Sequence, residues 1–359
     1  MDKLLGWQGG SVQLTITDRN GRDITGDRLI DPRAGQVTST MATYGRGQTR
    51  HLTELSYRQR LYDDRLEVQL GRFGTQAFGA FPCDFQNLMF CGNTAGAWTG
   101  DIFYNYPIAQ WAAQFKVRAS DELALQFGVF EHNPTLLERD EGFKLSTSGS
   151  DGVVLPVEMI WTPTKGLFGL PGEYRLGAFY SSADASDVYT GADGQPQPLT
   201  ADGRFKEHAG AHGYWMVARQ QVGQFDSNPE RPIEVFSIGQ LNDERSSYLR
   251  SSLNLGVVLT GPFTARPRDA LGFAIGRVEV NQRYVERVDL INQLNGMSDY
   301  RSPDFLPLQD TEYSAELYYG VHLTNWLTVR PNLQFLRHPG GVEEVDDAVV
   351  AGMKVVASF

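Results

Sequence analysis

No stretch of this chain approaches the roughly 20 consecutive apolar residues that a membrane-spanning helix requires. Basic residues are in deficit, 32 Lys and Arg against 43 Asp and Glu, for a formal net charge of -11. That balance argues against nucleic acid as a partner, which would favour a basic face. The opening Met1-Asp2-Lys3-Leu4 has no charged-then-apolar signal segment, so an exported protein would be read here in a mature or trimmed form. Catalytic signatures are missing as well. There is no Gly-x-Ser-x-Gly elbow, no His-Glu-x-x-His and no Walker loop, and the reading is not an enzyme. Six histidines include His208 and His212 at i, i+4, but in a loop or strand that spacing does not bring two side chains together, and neither a metal nor a cofactor is expected. Cysteine is scarce, with only Cys83 and Cys91. Their spacing fits no zinc pattern; given export to an oxidising compartment, it fits a small loop disulfide.

What is present is alternation. From Val349 to the end, Val349, Ala351, Met353, Val355, Ala357 and Phe359 share one face, while Val350, Gly352, Lys354, Val356 and Ser358 share the other. A strand sends successive side chains to opposite faces. One face is therefore apolar, the other carries a lysine, and the chain stops on an aromatic. The same period of two recurs in Val12-Leu14-Ile16, Leu66-Val68-Leu70, Trp111-Ala113-Phe115-Val117 and Leu123-Leu125-Phe127-Val129. It recurs again in Leu155 to Trp161, Tyr174 to Tyr180, Leu253 to Leu259, Tyr313 to Tyr319 and Leu327 to Phe335. A single such segment would suit a half-buried strand of a soluble sandwich. About nine of them, each with a charge-free face, favour a transmembrane β-barrel, which needs lipid outside and water inside.

Hydropathy does not oppose this. The hydrophobic fraction is 41%, and only every second barrel residue has to face lipid. Abundant glycine (38 residues) and 11% aromatics suit many turns and interfacial anchors. Tight turns at Asp63-Asp64, Ser120-Asp121 and Leu323-Thr324-Asn325 alternate with long polar stretches near 74–106, 132–152, 183–211 and 282–309. The expected fold is all-β: an antiparallel up-and-down transmembrane barrel forming a single domain over 1–359, with 14 strands readable. Residues 36–41 fit either a further strand or a loop. Pro331 inside a strand predicts a bulge or weakened pairing. The stretch 74–106 is rich in aromatics, Phe81, Phe85, Phe90, Trp98, Phe103, Tyr104 and Tyr106 among them, and carries both cysteines. Such a loop is costly to leave in water. Folding into the barrel is favoured; an external cap or a subunit contact is the alternative.

The ordered set of short motifs resembles the carbohydrate-selective porins of the OprB type. It includes Gly71-Arg72, Gly128-Val129-Phe130 with Asn133-Pro134, Gly172-Glu173-Tyr174-Arg175-Leu176-Gly177 and Gly213-Tyr214-Trp215. It continues through Gly261-Pro262-Phe263, Glu316-Leu317-Tyr318-Tyr319, Trp326, Pro331-Asn332-Leu333-Gln334 and Pro339-Gly340-Gly341. The resemblance implies a barrel of 16 strands in the outer membrane of a Gram-negative bacterium. It implies diffusion of sugars, glucose-like monosaccharides among them, through a constriction lined by arginines and glutamates. A general diffusion porin and a soluble β-rich carbohydrate-binding protein are the other readings.

Parity nominates the residues of the path. With Leu55 and Tyr57 towards lipid, Glu54 and Arg58 turn inward. Glu158, Arg175, Lys116, Arg118, Glu316 and Arg330 follow by the same rule. Arginine offers five donors in a fixed fork and carboxylates accept, so such a ring can replace the water bonds of a neutral polyol. Arg330 is the best single candidate, with Glu316 one strand back to orient it. Arg72 shares parity with outward Leu70 and enters through the resemblance; Trp98 enters as a loop aromatic. The expected partners are sugars in transit, outer-membrane lipid and, through Phe359, the assembly machinery.

Overall fold

The structure, a computed structural model, describes residues 8–41, 49–93, 102–104 and 106–359, with backbone alone at 92 and 93. Its strands are β1 (Gly10–Asp18), β2 (Arg50–Leu61), β3 (Leu66–Phe73), β4 (Ala80–Phe81), β5 (Gly92–Asn93) and β6 (Gln110–Arg118). Next come β7 (Leu123–His132), β8 (Gly152–Trp161), β9 (Gly172–Ser181), β10 (Ala185–Gly191), β11 (Phe205–His208) and β12 (Ala211–Gln224). The last are β13 (Pro232–Asn242), β14 (Leu249–Thr260), β15 (Ala270–Val280), β16 (Thr311–His322), β17 (Leu327–Arg337) and β18 (Ala348–Ala357). Fourteen of these form one sheet in the order β1-β2-β3-β6-β7-β8-β9-β12-β13-β14-β15-β16-β17-β18, while β4-β5 and β10-β11 are small hairpins within loops. Every neighbouring pair in the large sheet is antiparallel, and β1 and β18 are its two edges. The described residues thus supply fourteen wall strands, the number legible in the sequence, beside the sixteen implied by the resemblance.

Register turns the alternation of each strand into continuous rows. Ser237, Leu255, Ile275, Ala315, Phe335 and Val349 lie opposite one another across six strands on the outer face. Behind them Ala274, Glu316 and Gln334 are buried on the inner face. The apolar outer face is exposed, as a wall against lipid must be: Leu14 is 61% and Met353 64% exposed.

Turns at one end are short. Between β2 and β3, Tyr62, Asp63 and Asp64 all adopt left-handed backbone, which reverses the chain within a few residues. The other end carries the long connections, with 243–248 a short one among them. The chain returns through β18 to the short-turn end. There Phe359 stacks on Trp326, ring centres 5.6 Å apart, an aromatic pair suited to the membrane interface.

Three local expectations need refining. Residues 36–41 form no strand; Val37, Thr38, Ser39 and Thr40 are buried loop residues. The polar stretch 282–309 contains a helix, α1 (Gln282–Leu294), started by the Asn281 side chain accepting from the Arg283 amide at 3.0 Å. A search for period two overlooks it, because its buried pair, Val288 and Asn292, is spaced at i, i+4. At Pro331 there is no bulge. The ladder to β18 is continuous, but that to β16 is interrupted between Tyr318↔Asn332 and Val321↔Val329, as a missing donor requires.

Candidate lumen constriction

The aromatic stretch after β3 packs on inward-facing residues of two successive stretches of the wall. Phe78 meets Phe130 and Trp215 edge-on at 5.9 and 6.5 Å, and Phe103 meets Phe179 at 4.8 Å. Further along, Phe81 lies 4.7 Å from Phe236, and Phe85 lies 4.8 Å from Tyr318. These rings form two buried clusters, one against β7–β12 and one against β12–β16. Burying them offsets the ordering of a long loop, at about 1.5–3 kcal/mol for each fully buried large apolar side chain.

Buried glutamates fix the loop at both clusters. Glu158 is 1% exposed, and its carboxylate accepts from the Gly79 amide. The same carboxylate takes the Trp215 indole N–H at 2.8 Å, the Arg175 guanidinium at 2.9 Å and the Gln126 amide at 3.2 Å. Trp215 reaches it by lying over Gly177, where a Cβ would come within 2.2 Å of the indole ring. At the second cluster Glu316 is fully buried; its two oxygens accept from the backbone amides of Gln86 and Asn87, both at 2.7 Å. Carboxylates removed from water are tolerable only when donors surround them. Here the donors are the loop's own N–H groups, so wall and loop satisfy each other. Glu312 repeats the device with the Gly340 amide at 2.7 Å.

Three more ties complete the assembly. Cys83 and Cys91 are joined in a disulfide. Between them, Asp84 forms an ion pair with Arg330 at 2.7 Å. The segment leading to β2 folds inward too: Ser39 accepts from the Leu88 amide at 2.8 Å, and Thr40 accepts from the Gln334 side chain at 3.0 Å. That segment is itself latched at the mouth. Arg33 holds Asp31 with bonds of 2.7 and 3.0 Å, stacks on Tyr300 at 4.9 Å and donates to the Ser302 carbonyl at 2.7 Å. The Arg33 guanidinium holds the Asp31 carboxyl well below the usual carboxylate range, against the opposing effect of burial and with help from the Tyr300 hydroxyl.

Below the loop, towards the short turns, a cavity of about 290 Å³ is lined by Phe81, Asp84, Arg219, Glu234, Phe236 and Tyr318, among others. Arg219 and Glu234 pair across it at 2.7 Å. The wall therefore offers what a neutral polyol needs: fixed donors, fixed acceptors and aromatic faces.

The nominated residues separate into three groups. Arg330 stands at the loop, held by Asp84; Glu316 does not orient it, because both its oxygens are taken by loop amides. Arg175 is likewise engaged, with Glu158 and with Glu173 at 2.6 Å. Glu54 and Arg58 lie on β2, joined through Gln69: Glu54 accepts from its amide at 3.0 Å, and Arg58 donates to its carbonyl at 3.1 Å. Arg72 stands apart from these. It lies opposite Leu55 and Trp111 in the ladder, is 3% exposed and donates to the Leu52 carbonyl at 2.5 Å. Gly71 before it has φ +136°, which brings the strand onto its neighbour so closely that a Cβ would sit 2.3 Å from the Leu55 carbonyl oxygen. Trp98 lies outside the described residues. Parity reading passed over Arg219 and Glu234, although Tyr214-Met216-Ala218 outward would have turned Arg219 inward. Asp84 had no such signal, since loop residues carry no period.

The family described as carbohydrate-selective porin, OprB family, matches residues 1–359. Porin B of Pseudomonas aeruginosa is 49% identical over 360 residues, covering all of this chain and 79% of the relative. The putative porin QuiX of Acinetobacter baylyi is 34% identical over 366 residues, covering all of this chain and 80% of the relative. Among solved structures, the high-pH form of Pseudomonas putida OprB superposes with a TM-score of 0.97 at 47% identity, over 100% of this chain and 85% of that one.

Proposed function

We propose, from the premise that the chain belongs to the carbohydrate-selective porin, OprB family, that the loop after β3 and the charged wall around it set which solutes pass. The protein is an outer-membrane channel for sugars, a pore rather than an enzyme. Monosaccharides of glucose size are the proposed solutes. The observation that carries the site proposal is the Arg330–Asp84 pair, which joins wall to loop beside the cavity holding Arg219 and Glu234.

A sugar entering such a passage loses water and regains hydrogen bonds from side chains already oriented. Binding of this kind is favourable enough to admit the solute and weak enough to release it. A small ion meets both charge signs close together and gains little from either. The parts of Phe81, Phe236 and Tyr318 that line the cavity offer an apolar surface to a pyranose ring. Glu54, Arg58 and Arg175 are proposed as wall residues along the path. Phe359, stacked on Trp326, is proposed as the contact read by the assembly machinery.

Planar-bilayer conductance with glucose titration tests the reading. Arg330→Ala is expected to raise small-ion conductance and weaken block by sugar. If both stay at the wild-type value, Arg330 is a solvated wall residue and the constriction lies elsewhere.

A further inference from the structure

The outer wall over β14–β17 holds a feature that transport does not use. One register row runs Leu253, Arg277, Tyr313, Arg337 across four strands. All four share the face of the apolar row below, so two arginines project outward from a lipid-facing wall. Outward charge is expensive in hydrocarbon and tolerable near the head groups. The row lies near the ends of its strands that carry the long connections, which places it at the outer leaflet.

Arg277 makes no ion pair among the described residues. Its acidic neighbour Glu279 is already held, by Arg250 at 2.9 Å and by the Ser251 hydroxyl at 2.8 Å. Arg337 likewise makes no ion pair among the described residues and donates to the ring of His338 at 3.4 Å. The two arginines stand two strands apart, about 9.5 Å between backbones at ordinary strand spacing, with the Tyr313 side chain between them. Directly below is a groove of about 360 Å³. Leu253, Leu255, Ile275, Tyr313 and Phe335 are among its lining residues, and Ala315, small among large neighbours, leaves the space.

We propose that this patch seats a phosphorylated lipid of the outer leaflet, its phosphate between Arg277 and Arg337 and one acyl chain in the groove over Ala315. Charge and shape agree on one occupant. Two exposed cations with a phenol between them match a phosphate, and an open apolar channel beneath matches a hydrocarbon chain. Glu343, Asp346 and Asp347 border Arg337 and His338 in the next loop, so the phosphate approaches from the Arg277 and Tyr313 side.

Native mass spectrometry of the full chain, folded in detergent, tests this with purified diphosphorylated lipid A. Lipid A is expected to be retained by the wild type, and its dephosphorylated form at least about tenfold less. The double variant Arg277→Gln/Arg337→Gln should lose retention by a similar factor. Ala315→Leu, which fills the groove and keeps both arginines, should lose it as well. Millimolar inorganic phosphate should not displace the lipid. Heat-modifiable migration on gels confirms that each variant is folded. Equal retention of the dephosphorylated lipid, or unchanged retention in the arginine double variant, overturns the proposal. Unchanged retention in Ala315→Leu removes the acyl seat. A wild-type dimer that Ala315→Leu dissociates makes the groove a contact between copies.

Discussion

Replacing Glu316 with alanine should loosen the loop that crosses the lumen while leaving the wall intact. The wild-type carboxylate accepts two backbone amides, from Gln86 and Asn87. Hydrogen bonds to a charged group contribute about 1.5–3 kcal/mol each, so the two bring about 3–6 kcal/mol. Holding a carboxylate out of water offsets part of that. A net loss of about 3 kcal/mol raises local opening by more than a hundredfold. The tip would not be expelled, because the Arg330–Asp84 pair and the Phe85 ring on Tyr318 remain. The expected phenotype is a folded, heat-modifiable barrel with higher mean conductance, added open-channel noise and weaker glucose block. Glu316→Gln keeps one acceptor oxygen and should fall between. If Glu316→Ala matches the wild type in conductance, noise and sugar block while folded, these hydrogen bonds do not hold the constriction.

Three further perturbations probe separate ties. Asp31→Asn should free the segment around Ile30–Thr40, read as faster hydrogen exchange of its amides at pH 7. Because the folded Asp31 is held below its unfolded value, its contribution is complete above an unfolded pKa of about 4 and fades only as pH falls below that; equal exchange in variant and wild type at pH 7 would remove the latch. Cys83→Ser/Cys91→Ser should forfeit at most about 2.5 kcal/mol of unfolded-state restriction for so short a loop, showing as channel noise with barrel melting lowered by no more than about 5 °C; a collapse of the melting transition would contradict a purely local role. Deleting Phe359 removes the ring on Trp326 and should reduce the folded yield in cells more than the stability of what does fold; a normal yield would count against recognition of the C-terminus.

The wall was legible in the sequence because a strand's period of two is local. Leu14, Leu255 and Met353 face outward for the same reason that Gln126 and Glu316 face inward, and no partner strand is needed to know it. Tight turns and long connections were legible for similar reasons, as was the parity of Arg330. Helix α1 was missed because its period is different and its buried face amounts to two residues.

What each inward residue does was decided by tertiary structure. Parity sends Glu158 and Glu316 to the lumen, but only the folded loop shows that their oxygens hold its amides and are not free for solute. Asp84 meets Arg330 across about 250 residues of sequence, a pairing set by sheet order and loop path. Arg72 has a parity, yet its burial follows from a glycine that draws two backbones together and from the carbonyl it meets there. Alternation is a property of one strand; a constriction belongs to side chains that strand order and the folded loop bring face to face.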